Sequence, residues 1–287
     1  MTTFIGTATS RIDGHAKVTG AAKYAGEFNT AGLAHACVAA STVTKGRIAS
    51  IDTSEALSVE GVIDVLTHQN RPRMASADSG YKDDVAPEGS PYRPLYDDRI
   101  LFNGQPVAVV VAEEPEIARF AASLVRVEYH QEAHVTDLHR QRDAAFALTP
   151  PANPDPFTPP KARGMAEQAA AAAAVRFSGE YYVPIEHHNP MELYASTVIF
   201  EDGGKLTVHD KTQGVQNVQR YLCSVLEMEP DDVRVMSQFV GGAFGSGLRP
   251  QYQVVLAALA ALALKRSVRL VLTRQQMYGL GYRPAMI

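Results

Sequence analysis

The 287-residue sequence has only two cysteines, Cys37 and Cys223, far apart along the chain. That excludes a disulfide-dense scaffold, a zinc ribbon and an iron–sulfur cluster ligated by this chain alone. Positive charge is not in excess either: 27 Lys+Arg stand against 31 Asp+Glu, a formal charge of −4, so there is no basic footprint for nucleic acid. The longest apolar run, Val254 to Leu264, is too short to span a bilayer. The opening Met1-Thr2-Thr3-Phe4-Ile5-Gly6 has neither the basic start nor the apolar stretch of a secretory signal. The expectation is a cytoplasmic protein, with export on a partner's signal as the alternative. Walker, H-E-x-x-H and G-x-S-x-G patterns are all missing, as are a Ser/His/Asp triad and any fixed-period repeat.

What is present reads as an ordinary globular chain, 46% hydrophobic and 20% charged, long enough for about two domains. Six of the 17 prolines fall between Pro150 and Pro160. Proline lacks an N–H and restricts its predecessor, so this stretch can be neither helix nor central strand. It predicts a division into domains at 1–135 and 165–287 joined by a connector over 136–164, with a surface excursion inside one domain as the alternative. Ahead of it, strands are expected at Val62–Leu66, Pro106–Ala112 and Val125–Tyr129, with a helix over Glu114–Ser123 carrying Ile117, Phe120, Ala121 and Leu124 at helical spacing. That β-α-β alternation is α/β in class. Residues 71–97 read as a long loop, functional or interfacial.

Beyond the connector, an alanine-rich helix over Gly164–Ala174 precedes strands at Val175–Tyr182, Ala195–Phe200 and Lys205–His209. The last two are joined by the turn Glu201-Asp202-Gly203-Gly204. Helices follow at Gly214–Leu226 and Gln251–Leu264, the second apolar nearly all round and therefore buried, with strands at Val233–Val240 and Val268–Thr273.

The most informative segment is Val240-Gly241-Gly242-Ala243-Phe244-Gly245-Ser246-Gly247, between an expected strand and a buried helix. Glycines let backbone N–H groups turn toward one centre, and a helix start adds positive potential, which suits an anion or oxo group. A tight strand–helix turn is the alternative. Glu186-His187-His188-Asn189-Pro190-Met191-Glu192 is dense in polar groups, but adjacent strand residues point to opposite faces; a buried hydrogen-bonded cluster or one beside a cofactor fits better than a zinc site. Gln213 and Gln216 open a helix and could donate to a ligand; for an isolated glutamine a solvated helix start is the better reading. His35 and Cys37 would share one strand face, the cysteine as a small core thiol.

Together these segments resemble the molybdenum-cofactor subunit of the xanthine dehydrogenase and aldehyde oxidoreductase family. Arg11 to Ala25 is similar to the start of that family's hammerhead-like α/β domain, and Gly104-Gln105-Pro106-Val107-Ala108 with Val125 to Tyr129 to its second half. Glu186 to Glu192 resembles a strand motif of the cofactor domain, and Thr273-Arg274 through Tyr282-Arg283-Pro284 a later stretch. The fold implied is α/β (α+β): a hammerhead-like domain followed by the first part of a mixed α/β molybdenum-cofactor-binding domain. The resemblance implies cofactor contacts from Gln213, near the molybdenum oxo ligand, and from Gly241, Gly242, Ala243, Phe244 and Gly245. Phe244 and Leu248 would line the substrate channel, and no side chain would ligate the metal directly.

Ala243, Ser246 and Gly247 depart from the family's usual Gly-Gly-Gly-Phe-Gly-Gly-Lys, and Leu193-Tyr194 from a Pro-His. Leu248 stands where purine-hydroxylating relatives place a glutamate, which implies a small aldehyde or aromatic N-heterocycle as substrate rather than xanthine. The implied cofactor is molybdenum–molybdopterin in its cytosine dinucleotide form. Iron–sulfur clusters would sit in a partner subunit, FAD in a further one, and a C-terminal half-subunit would supply the family's glutamate base, which matches no residue here. On that expectation the chain alone is inactive. The alternatives are a truncated or split-subunit fragment acting as a non-catalytic binding or assembly module, and an unrelated phosphate-binding α/β protein.

Overall fold

The computed structural model describes residues 5–75, 92–146, 163–279 and 282–287. The proline-rich stretch and the middle of the 71–97 loop lie outside the described residues. Among the described residues twelve strands are formed: β1 Ala34–Ala40, β2 Gly46–Asp52, β3 Val62–Thr67, β4 Arg99–Ile100, β5 Pro106–Ala112, β6 Arg126–Gln131, β7 Glu186–His187, β8 Ala195–Phe200, β9 Leu206–Asp210, β10 Val233–Met236, β11 Val268–Val271 and β12 Tyr282–Arg283. The α-helices are α1 Gly14–Val18, α2 Ser54–Leu57, α3 Pro115–Ala122, α4 Ala166–Ala172, α5 Val215–Leu226, α6 Tyr252–Leu264 and α7 Arg274–Met277.

Seven strands form one mixed sheet in the order β10-β9-β8-β11-β1-β5-β3. Its centre is the parallel pairing of β1 with β11, in which Ala34, His35 and Ala36 face Val268, Arg269 and Leu270. Strands from both sides of the proline-rich stretch therefore share one sheet, so the expected division at 135 and 165 does not divide this layer. A three-stranded sheet, β4-β2-β6, belongs to the early half alone.

Strand β5 explains its own sequence. Every residue of Pro106–Ala112 is buried, and alternate side chains enter two different cores. Val109 and Val111 join α5 and α6 in the larger one, while Ala108 and Val110 meet Ala56, Ile48 and Ala121 in the smaller. A strand covered on both faces reads as a continuous apolar run. Helix α6 packs on β8 and β11 with Tyr252 through Ala261 all buried; its small alanines let the backbone lie close to the sheet. It ends at Lys265 in the left-handed region, one of the usual helix stops. The opposite side of the β8–β11 region is covered by the turn Ala25–Glu27. Thr197 Oγ1 donates to the Ala25 carbonyl at 2.8 Å, and the Phe28 ring stacks on His209 at 3.6 Å.

Several expectations are corrected. Val175–Tyr182 forms no strand: no described segment offers it a ladder, and Val175 and Phe177 are 86% exposed. The strand expected to run to Val240 stops at Met236, where its pairing with β9 ends opposite His209. On α3 the buried face is Ala118 and Ala121, and Phe120 points outward. The remaining expected helices and strands form within one to three residues of their anticipated ends. His35 and Cys37 do share the half-buried side of β1, and burial raises the Cys37 thiol above its ordinary pKa.

Leu270 is fully buried in β11, hydrogen-bonded to both β1 and β8. Leu270→Ala is expected to cost about 2–5 kcal/mol and to lower the stability of the early and late halves together. Urea unfolding followed by far-ultraviolet circular dichroism and tyrosine fluorescence should give one coincident transition; two separated transitions would contradict the shared sheet.

Candidate functional site

Three segments meet at one end of the late strands: the chain leaving β9 (Asp210 to Gln213), the stretch 189–194 entering β8, and the glycine loop between β10 and α6. The loop is fastened at both ends. At its start, the Gly241 N–H donates to Glu192 Oε2 at 2.6 Å, and the Glu192 N–H donates back to the Gly241 carbonyl at 3.0 Å. A Cβ at position 241 would lie 2.7 Å from that of Glu192, so this close approach requires glycine. At its far end, the Gln213 N–H donates to the Gly247 carbonyl at 2.8 Å, and the Gly247 N–H donates to Gln213 Oε1 at 3.3 Å. Thr212 Oγ1 also donates to the Gly247 carbonyl and accepts from the Gly214 N–H, both at 3.0 Å.

Between these fastenings the loop turns through left-handed backbone at Gly242, Phe244 and Gly245. For Phe244, at φ +55°, that conformation is costly, and its ring is 72% exposed. The N–H groups of Gly242, Ala243, Phe244 and Gly245 find no acceptor among the described residues. Four consecutive unpaired amides, at a loop whose ends are pinned, form a site for an anionic or oxo-bearing ligand. Gln213, exposed and held through its carbonyl oxygen, keeps its amide nitrogen as a further donor. Leu248, just past the loop, is 45% exposed.

The expected residues Gln213 and Gly241 to Gly245 are thus brought together. Gln216 is exposed on α5 and has no bond to the loop. The polar 186–192 segment splits. Glu192 is half-buried and hydrogen-bonded to the glycine loop, whereas Glu186 lies in β7 opposite Arg283. Arg274 wraps the segment's middle, donating to Asn189 Oδ1 at 2.8 Å, to the Pro190 carbonyl, and to the Met191 carbonyl at 2.9 Å. Among the described residues no group of three or more His, Cys, Asp or Glu side chains is placed to hold a metal ion.

Sequence reasoning missed the polar layer under the loop. Asp210 is buried; its Oδ1 accepts from Ser196 Oγ at 2.5 Å and from Gln253 Nε2 at 3.2 Å. Burial dominates these bonds and pushes its carboxyl up to about 6. Lys211 is 1% exposed, with Nζ 4.4 Å above the Tyr194 ring. Burial also lowers Lys211 and raises Glu192, each opposed by the other's charge. A charged Asp-Lys pair beside a glutamine carries no pattern that announces burial.

Two family models match the chain. The aldehyde oxidase and xanthine dehydrogenase a/b hammerhead domain matches residues 19–133, and the molybdopterin cofactor-binding domain matches residues 151–283. The aldehyde oxidoreductase molybdenum-binding subunit PaoC of Escherichia coli O157:H7 is 33% identical over 286 residues, 99% of this chain and 37% of its own length. The aldehyde oxidoreductase of Megalodesulfovibrio gigas is 30% identical over 268 residues, 91% of this chain and 29% of its own. The solved aldehyde oxidoreductase from Desulfovibrio gigas superposes with a TM-score of 0.75 at 26% identity, covering 93% of this chain and 30% of that one. The chain thus spans about a third of the length of these curated relatives.

Asp210 yields a signed pH dependence. A carboxyl held near 6 in the fold and near 3.8 when unfolded binds a proton on folding, so its contribution falls as pH rises from 3.8 to 6 and stays low above. Asp210→Asn keeps an acceptor for Ser196 and Gln253. Its stability relative to wild type should rise across that window by on the order of 1–3 kcal/mol, measured by urea midpoints from pH 4 to 7. A difference that does not change with pH would refute the assignment.

Proposed function

The chain belongs to the aldehyde oxidase and xanthine dehydrogenase family, and from that premise we propose that Gln213 and the loop Gly241–Gly245 hold molybdopterin for an oxidoreductase. The observation that carries this reading is the run of four unpaired amides at Gly242 to Gly245 beside the free amide nitrogen of Gln213. A ligand rich in oxo and phosphate oxygens meets those donors. The tethers at Gly241 and Gly247 keep them fixed, so no loop reorganisation opposes binding. When bound, the group supplies Lewis acidity and a two-electron sink for oxidation of an aldehyde or aromatic N-heterocycle with water as the oxygen source.

The residues of this chain then have separate tasks. Thr212 sets the turn that presents Gln213, and Gln213 Nε2 would donate to an oxo ligand of the bound group. The exposed Phe244 ring forms an apolar wall at the loop tip, and Leu248 continues it. An apolar side chain at 248 cannot hydrogen-bond a purine ring, which favours an aldehyde or a less polar heterocycle. The proton-abstracting base is assigned to no residue of this chain. With Cys37 and Cys223 on different elements and both thiols raised by burial, electrons leave through an iron–sulfur partner subunit, with FAD in a further one. The cytosine dinucleotide form of the cofactor and a separate remainder of the subunit belong to the same proposal. Residues 1–135 and 165–287 are kept as two family units that complete one sheet.

A second reading, a binding or assembly module without turnover, is favoured by the exposed apolar stretch Val175, Phe177 and Tyr181. Co-expression of the chain with the remaining length of a subunit and an iron–sulfur subunit decides between the two. The first reading expects bound molybdenum by elemental analysis and aldehyde oxidation. Gln213→Ala should lower turnover by about 10²-fold, the usual effect of removing one such donor. Phe244→Ile, β-branched at a left-handed position, should lower molybdenum content as well. Full activity and loading in both variants would reject these site residues; loading without any turnover would favour the assembly module.

A further inference from the structure

Among the described residues, Lys211 is the one buried cation, and the proposed site leaves its role unexplained. It sits two residues before Gln213, 1% exposed, and Nζ makes no hydrogen bond among the described residues. Its backbone N–H is fixed to the Ala195 carbonyl at 3.0 Å, so the side chain is anchored at the junction of β8 and β9. Glu192 lies two residues before Tyr194, whose ring Nζ faces at 4.4 Å, and it is the acid whose charge bears most on Lys211. That carboxylate gives one oxygen to the Gly241 amide at 2.6 Å and leaves Oε1 buried without a partner. Each of the two residues thus has a buried polar atom without a hydrogen-bond partner among the described residues.

We propose that Lys211 is a positioning residue for the glycine loop, acting through Glu192: its ammonium supplies the field that keeps the Glu192 carboxylate charged against the Gly241 N–H. A charge-assisted hydrogen bond is about twice as strong as a neutral one, and only a charged carboxylate makes it. Burial drives Glu192 toward its neutral form; the Gly241 N–H opposes this first, the Lys211 charge next and the Ala25 N–H after it. Asp210 and Glu27 reach the pair as further acids and Arg274 as a further base. Asp210 is held by Ser196 and Gln253, and Arg274 by three acceptors of the 189–191 segment. The Tyr194 ring face, 4.4 Å from Nζ, stabilises the cation without competing for Glu192. If Lys211 were only filler, an apolar side chain of similar volume would replace it without loss, or with a gain in stability.

That the loop holds a pterin rests on the function proposed above. Loop order is measured on the chain without any cofactor, so the two can fail separately. Amide hydrogen exchange, corrected for intrinsic rate, is compared for a peptide covering 238–248 and one covering α6 as a control for global folding. In Lys211→Met the loop peptide should exchange at least about tenfold faster, the loss of one hydrogen bond to a charged group, with α6 unchanged. Lys211→Arg should restore protection. In Glu192→Gln the loop should be loosened already, and adding Lys211→Met should change nothing more. Unchanged loop exchange in Lys211→Met, or an equal further effect in the Glu192→Gln background, would overturn the proposal. If Lys211→Met fails to fold, Glu192→Gln decides: wild-type loop protection should fall as the pH is lowered and the variant's should not, and an identical profile rejects the pairing.

Discussion

Strand β11 has neighbours drawn from opposite ends of the chain, β8 on one side and β1 on the other, and the rest of the molecule depends on that junction. A parallel pair cannot be closed by a tight turn; β1 and β11 are joined through most of the sequence. The join is held by a short register, Ala34 to Ala36 against Val268 to Leu270, and by α6 lying across β8 and β11. Everything at the candidate site hangs from these elements. The stretch 189–194 leads into β8, Asp210 closes β9, and the glycine loop opens α6. Were β1 absent, β11 would be an open edge and the helix that ends the loop would lose part of its floor. The hammerhead and cofactor-binding family units are therefore distinct in sequence and jointly needed for one sheet.

The site spends local stability in one place. Phe244 occupies left-handed backbone, four amides go unpaired, and Asp210 and Lys211 are buried beneath them with Glu192 half-buried. The left-handed Phe244 backbone and each buried polar atom left without a partner cost on the order of 1–3 kcal/mol. They persist because the loop ends are pinned to Glu192 and to Thr212–Gln213, and those residues are fixed by the sheet. Concentration of such strain at one end of otherwise regular strands is the expected mark of a working site.

Much of this was legible in advance, for identifiable reasons. Val107 to Val111 and Val254 to Leu264 are apolar on every face, and burial on every face is what they show. The glycine loop was visible because it needs a residue type, glycine, that few other structures need so densely. Phe120 misled because helical spacing marks a face without saying which side of it is large; the sheet required Ala118 and Ala121 there. Val175 to Tyr182 misled because strand propensity means fitting a pleated, half-covered surface, and no described segment supplies one. Lys211 and Asp210 were invisible because their burial is created by tertiary packing of β8, β9 and α6, which no local window contains.

The loop's departures from its family pattern can now be judged by geometry. Ala243 stands where a glycine is usual, yet unlike its neighbours Gly242, Phe244 and Gly245 it does not have positive φ, and it is 5% exposed. A methyl group there costs nothing in backbone terms and fills space against Gly247, whose own Cβ position would lie 3.5 Å away. Ser246 does more than replace hydrogen: its Oγ donates to the Ala243 carbonyl at 2.7 Å, beside the Ser246 N–H at 3.0 Å. The Ala243 carbonyl thus accepts twice, and the turn that follows the unpaired amides is closed from within. The Ser246 carbonyl in turn accepts from Gln251 Nε2 at 2.9 Å, which ties the loop to the residue preceding α6. Both substitutions stiffen the loop without occupying an amide that a ligand would use, so they are compatible with the same task performed by a more rigid cradle.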